Sequence, residues 1–185
     1  MATKQEATQT RERLLAAARQ TIRGRGITGL TLDAVAKEAG VSKGGLLHHF
    51  PSKEALVEGI LKHLFEVFEA RVQHYFELEA PTPGRWLRAY VRANFADEPL
   101  PLELGTVVMI AMTENPALLG RVQEDYQRWE ERLLADGVSR ARALVIRQAA
   151  DAFWLDQSIR TSREDEADRL AVMNELLKLT EMDAR

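Results

Sequence analysis

Side chains able to break bonds are sparse in this sequence, and those able to hold an anion gather near its start. There is no cysteine, which excludes thiolate nucleophiles, thiolate zinc sites and a disulfide scaffold. The four histidines, His48, His49, His63 and His74, include no pair at i, i+4. That spacing would bring two imidazoles to one helical face to hold a metal. Adjacent carboxylates at Asp97-Glu98 and Glu130-Glu131 point in different directions on a helix and read as solvated faces. No Gly-rich phosphate loop follows a strand, and no Gly-x-Ser-x-Gly elbow occurs. The expectation is a protein that is not an enzyme, with no metal and no cofactor. What remains is residues 31–53, TLDAVAKEAGVSKGGLLHHFPSK, rich in hydroxyls, lysines and histidines.

The elements that position those residues are two short helices and a tight turn. Thr31 is an N-cap candidate, with Asp33 placing negative charge in the first turn. Val35, Ala36 and Ala39 form one apolar face barely two turns long. Gly40 falls where a left-handed C-cap is wanted. Ser42 can cap a second helix carrying Leu46, Leu47 and Phe50, Pro51 stops it, and Ser52 begins a third. This pattern predicts a helix-turn-helix, whose second helix reads the DNA major groove. The charge distribution agrees. Net charge is −3 overall, but residues 1–55 hold nine Lys/Arg against five acids, so a basic head sits on an acidic body.

The rest of the chain reads as helices. With 185 residues, 45% hydrophobic and 29% charged, a packed core is available and disorder is excluded for most of the length. Residues 1–7 read as a polar, mobile start, followed by a helix from Thr8 or Thr10 to residue 23 with Leu14, Ala18 and Ile22 on one stripe. Residues 52–79 keep apolar positions three and four apart for some seven turns, long enough to bridge two packing units. Ala-Pro-Thr-Pro-Gly at 80–84 breaks that run. Further helices are predicted over 85–96, 101–113, 115–135, 139–159 and 164–179, the second of these apolar nearly all round and therefore central. No strand alternation and no internal repeat occurs. The expectation is an all-α protein of about nine helices, with a head over 1–54 and a body over 55–185. No run reaches the ~18 apolar residues of a membrane span, and the first ten residues lack a signal-peptide h-region. A cytoplasmic protein with no membrane partner is expected.

Roughly residues 8–60 resemble the TetR family of bacterial transcriptional regulators. An Arg-flanked helix ends in Gly-x-x-Gly, and Leu-Thr precedes a short helix. Ala-x-x-Ala-Gly-Val-Ser-Lys-Gly follows, then Leu-x-x-His-Phe-Pro-Ser-Lys-Glu-Ala-Leu. The resemblance implies a three-helix DNA-binding head, a fourth helix linking it to a larger ligand domain, and a homodimer on a palindromic operator. It places Lys43, Gly44 and Gly45 at the start of the recognition helix, facing base edges. It places Thr31, Ser42, His49 and Lys53 where the family contacts phosphates or caps the helices that do. Two positions depart from the family pattern: Gly45, where Thr or a similar residue is usual, and Leu47, where Tyr is usual. Leu47 then packs inside or meets a thymine methyl, and His48 becomes a replacement backbone contact.

A small-molecule effector is expected among the middle helices, in a cavity lined by Phe68, Tyr90, Met109, Met112, Tyr126, Trp129 and Phe153, with Asn94, Thr113 and Asp151 as polar members. Position by position, each of these also reads as ordinary core. The last two helices are apolar on more than one side, at Leu144, Val145 and Ala152 and at Leu170, Met173 and Leu177. That pattern predicts a dimer closed as a four-helix bundle. The leading expectation is a repressor released from its operator by a small, largely apolar molecule. The alternatives are a DNA-binding regulator governed by a protein partner or by abundance, and a helical ligand-binding or adaptor protein that has lost DNA recognition.

Overall fold

The computed structural model describes residues 4–96, 116–159 and 165–181, and among them it contains eight α-helices, one 3-10 turn and no strand. The helices are α1 (Lys4–Arg25), α2 (Leu32–Ala39), α3 (Lys43–His49), α4 (Lys53–Leu78), α5 (Arg85–Asn94), α6 (Pro116–Leu134), α7 (Arg140–Ile159) and α8 (Glu166–Glu181). The all-α expectation holds. The helix predicted over 101–113 lies outside the described residues, as does Asn115.

Several boundaries differ from expectation by a residue or two, among them the end of α5 at Asn94 rather than 96, and two differences have a visible cause. Helix α1 begins at Lys4, so residues 4–7 are helical rather than a loose polar start. Thr10 does not cap it; its hydroxyl donates to Glu6 O one turn back (2.8 Å), as an interior threonine does. Helix α8 begins at Glu166 because Asp165 is its cap, the carboxylate accepting Asp168 N–H (3.0 Å).

The head packs Leu14, Leu15, Ala18 and Ile22 of α1 against Leu30, Val35, Ala36 and Leu46. The turn after α2 is set by Gly40 at φ 66°. Gly40 N donates to Lys37 O (3.2 Å) and Val41 N to Ala36 O (3.0 Å), the paired bonds of a Schellman cap. Arg13 Nη2 adds a bond from α1 to Ala39 O (2.7 Å), fixing the turn from outside.

Helix α4 spans 26 residues, about 39 Å at 1.5 Å per residue, and packs on α1 at one end and α5 along its body. Gly59 lets it approach the head closely, since an added Cβ there would lie 2.5 Å from Phe50 Cε1. Among the described residues α5 is the central helix, packing against α4, α6, α7 and α8. It buries Leu87, Ala89, Tyr90, Val91 and Ala93, together with an arginine, Arg88, that is 6% exposed.

Arg88 closes the joint between α4 and α5. Its Nε donates to Glu79 Oε2 (2.8 Å), Nη1 to Pro83 O (2.8 Å), and Nη2 to Thr82 Oγ1 (2.8 Å) and Ala80 O (3.2 Å). Arg92 binds the other oxygen of Glu79. Burial alone would raise the Glu79 pKa, but hydrogen bonds and charge from Arg92 and Arg88 win, and the net shift is downward. The turn between α6 and α7 caps α5 from outside. Asp136 Oδ2 accepts Leu87 N–H (2.8 Å) and Asp136 O accepts Gly84 N–H (2.7 Å).

Replacing Gly59 by Ala tests the head–α4 contact. The helical preference of Ala over Gly, about 1 kcal/mol, favours the variant. Overpacking against Phe50 costs about 1–3 kcal/mol and should outweigh it. Urea denaturation should therefore give a lower midpoint for Gly59→Ala; a higher one would show that Phe50 yields without cost.

Candidate nucleic-acid interface and interhelical cavity

The surface of α3 divides cleanly. Leu46 and Phe50 are buried, while Lys43, Gly44, Leu47 and His48 are exposed at i, i+1, i+4 and i+5 on the opposite face. Leu47 is 37% exposed, so it does not pack inside. Three hydroxyl caps hold the frame: Thr31 Oγ1 accepts Ala34 N–H (3.1 Å), Ser42 Oγ accepts Gly45 N–H (3.1 Å) and Ser52 Oγ accepts Ala55 N–H (3.2 Å). Lys53 is the first residue of α4.

Two features of this surface are not legible from residue spacing. The Lys43 ammonium lies 3.0 Å from Asp33 Oδ2, with both side chains exposed. Such a pair is worth at most about 1 kcal/mol, so a phosphate or a guanine edge can displace the carboxylate. The second is at Gly44, where an added Cβ would meet nothing within 4 Å. Internal packing therefore does not require glycine there, although glycine weakens a helix by about 1 kcal/mol relative to Ala.

His49 is partly buried, and its pKa is lowered, first by burial and then by the charges of His48 and Arg11. Those surroundings favour its neutral form. Its ring stands edge-on to His48, with centroids 5.4 Å apart. Arg11 lies over the Phe50 ring, 5.2 Å from its centroid, so α1 contributes a cation beside α3.

A cavity of about 20 Å³ lies among the middle helices, room for about one water. It is lined by Phe65 and Phe68 of α4, Tyr90 and Asn94 of α5, Tyr126 and Trp129 of α6, and Asp151 and Trp154 of α7. Six of the residues expected to line a cavity are thus brought together. Phe65 and Trp154 were not expected: one reads as helix stripe and the other as part of an apolar run. Phe153 is not in the lining; it is buried and stacked on Phe95, with centroids 4.1 Å apart. Met109, Met112 and Thr113 lie outside the described residues.

The polar centre of the cavity is Asp151. Tyr90 Oη donates to its Oδ1, and Arg147 Nη1 stands 3.4 Å from Oδ2. Burial raises the Asp151 pKa, partly offset by the Tyr90 bond and Arg147. Burial and the Asp151 charge push Tyr90 well up and Tyr126 up to about 12. Asn94 is occupied locally, its Nδ2 donating to Tyr90 O (3.0 Å).

The apolar positions expected at a dimer interface divide. Val145 is 57% and Leu170 40% exposed, and Ala152 is exposed. Leu144, Met173 and Leu177 are partly buried, the last two packed against the chain's own core. Leu155, at 43%, extends the exposed stripe along α7.

The Asp151 environment fixes a pH dependence. Because the folded pKa is raised above the ordinary 3.8, the native state holds the proton more tightly and gains stability as pH falls toward that value. Ionised Asp151 accordingly costs stability at neutral pH. In urea denaturation at pH 7 and pH 4, Asp151→Asn should lose part of this gain, so the wild-type chain should improve relative to the variant on acidification. A difference independent of pH would mean the buried carboxylate is held at no cost.

Comparison with known proteins supplies independent findings. The family model described as "Bacterial regulatory proteins, tetR family" matches residues 14–60, and "Tetracyclin repressor-like, C-terminal domain" matches residues 84–181. The HTH-type transcriptional regulator BetI of Burkholderia thailandensis is 26% identical over 179 residues, covering 91% of this chain and 92% of that protein. A transcriptional regulator from Rhodococcus sp. Rha1 superposes with a TM-score of 0.76 at 21% identity, over 93% of this chain and 96% of that one. The multidrug binding protein EbrR, complexed with malachite green, superposes with a TM-score of 0.63 at 21% identity, over 92% and 97%.

Proposed function

The chain belongs to the TetR family and is a DNA-binding transcriptional regulator, and from that premise we propose that it is a dimeric repressor released from a palindromic operator by a small molecule. The observation that carries this reading is α4. One rigid helix reaches from the Phe50–Gly59 contact in the head to the Phe65 and Phe68 walls of the cavity. A molecule that separates those walls from Trp129 and Tyr126 moves α4, and α4 carries the head with it. Such a ligand must bind the DNA-incompetent arrangement more tightly, or no shift results. That a protein of similar fold, EbrR, binds multiple drugs supports a small-molecule effector over control by a partner alone.

In this reading residues 1–54 form the DNA-binding unit and 55–185 the effector and dimer unit, and the protein works by binding in the cytoplasm, where its operator is. Lys43, Gly44 and Gly45 approach base edges, with Leu47 exposed for a thymine methyl. Thr31, Ser42, His48, His49 and Lys53 serve the phosphates directly or through the caps they form. Gly44 lets the α3 backbone approach the groove closely, which accounts for a glycine that internal packing does not need.

The exposed stripe of Val145, Ala152 and Leu155 on α7, with Leu170 on α8, closes a twofold four-helix bundle. The two recognition helices then meet half-sites about 34 Å apart, or a multiple of that spacing.

Gel shifts on selected operator fragments separate the DNA roles. Lys43→Ala should weaken specific binding. Lys53→Ala should weaken binding to all sequences and reduce its salt slope by about one. Gly44→Ala should raise thermal stability by about 0.5–1 kcal/mol while weakening operator binding. Unchanged DNA binding in all three variants would remove these assignments. For the dimer, analytical ultracentrifugation of Val145→Glu should show a monomer where the wild-type chain is a dimer. A wild-type chain that stays monomeric at micromolar concentration would contradict the interface.

A further inference from the structure

Resting on the effector reading above, we propose that the cavity takes an organic cation, a quaternary or protonated amine bearing apolar groups, with Asp151 as its counter-ion. The walls are aromatic rings set across one another rather than stacked. Phe68 meets Tyr90 at 85° and Trp129 at 68°, and Phe65 meets Trp129 at 62°, all with centroids within 5.5 Å. Rings turned in several directions offer more than one electron-rich face to a guest, and such faces attract cations, most strongly at Trp.

The charge lining the cavity has the matching sign. Among the described lining residues the ionisable carboxylate is Asp151, and none is Lys, Arg or His. Asp151 is half-buried, its side chain 23% exposed; one oxygen takes the Tyr90 hydroxyl, and the other has only the Arg147 guanidinium at the long distance of 3.4 Å. Arg147 stands outside the lining, on the same helix one turn earlier. A cation of the right shape competes with Arg147 for Oδ2 from within the cavity and gains ring contacts that Arg147 lacks. A neutral guest leaves the carboxylate as it is, and an anion meets both the carboxylate and the negative ring faces.

Entry requires the walls to part, since the cavity holds about one water. The parting surfaces belong to α4 and α6, so the guest acts on the helix that carries the head.

Three isosteric probes test this on the full-length protein by isothermal titration calorimetry: benzyltrimethylammonium, neutral neopentylbenzene and anionic benzylsulfonate. The cation should bind at least tenfold tighter than either other probe. Asp151→Asn should lower cation affinity at least tenfold, and Arg147→Gln should raise it by removing the competitor. If Asp151→Asn fails to fold, Arg147→Gln decides alone, because a site for anions predicts loss where we expect gain. Equal or tighter binding of the neutral or anionic probe, no binding of any probe, or cation binding indifferent to both variants would each overturn the proposal. A parallel gel shift separates this from the effector reading. A neutral or anionic probe that releases operator leaves the effector reading standing and removes only the cation class. A cation that binds but leaves the operator complex intact removes the effector reading and keeps the site.

Discussion

A single buried guanidinium holds the two halves of the α4–α5 joint together, and much of the body depends on it. Arg88 uses four hydrogen bonds to collect Glu79, Ala80, Thr82 and Pro83 around the first turn of α5. Breaking a buried pair of this kind costs about 3–5 kcal/mol, because the partner charge is left without compensation. The loop it organises is pressed from the other side by the α6–α7 turn. Gly84 sits at φ 81°, and an added Cβ there would come within 3.1 Å of Thr180 O and Val138. At Gly137, also at φ 81°, an added Cβ would lie 3.0 Å from Pro83. The ends of α4, α5 and α8 and the α6–α7 turn thus converge on one polar knot, and α5 is inserted into the core from it.

Against that fixed point the aromatic cluster is a softer element. Phe65, Phe68, Tyr126 and Trp129 touch edge to face, an arrangement worth about 0.5–1.5 kcal/mol per pair beyond area burial. Arg132 and Glu69 tie α6 to α4 on the surface above them at 2.7 Å, a weak link because both are about half exposed. The polar constraint on α4 therefore lies near its C-terminal end, while its middle is packed through apolar and aromatic side chains, with that surface pair beside them.

Much of the architecture was legible in the sequence because it rests on local chemistry. Thr31, Ser42 and Ser52 are hydroxyls at helix starts and do cap them, and Gly40 is the glycine a left-handed turn requires. The length of α4 followed from its unbroken apolar spacing. What escaped was long-range. Arg88 looks like any surface cation on an amphipathic helix, and nothing nearby in sequence says that four acceptors surround it. Asp136 reads as a turn residue, yet it caps a helix 49 residues away. Phe153 has the same spacing and character as the cavity residues and still faces Phe95, because the choice between two inward directions is made by packing partners, not by periodicity. The α1 start was misplaced because a threonine can serve as a cap or sit within a helix, and its local sequence permits both.

Under the proposed function, the knot at Glu79 makes α4 a lever with one end held. From residue 79 to Phe68 is about 16 Å along the helix, and from residue 79 to Lys53 about 39 Å. For a rigid helix, a sideways displacement of 1 Å at Phe68 becomes about 2.4 Å where the head is attached, by the ratio of those lengths. In the proposed twofold dimer the displacements of the two heads add. The mechanical advantage is thus set by chain length, and each residue added between Phe68 and the head would raise the gain while rotating the recognition helix about 100° around the α4 axis, so that only whole turns keep its facing.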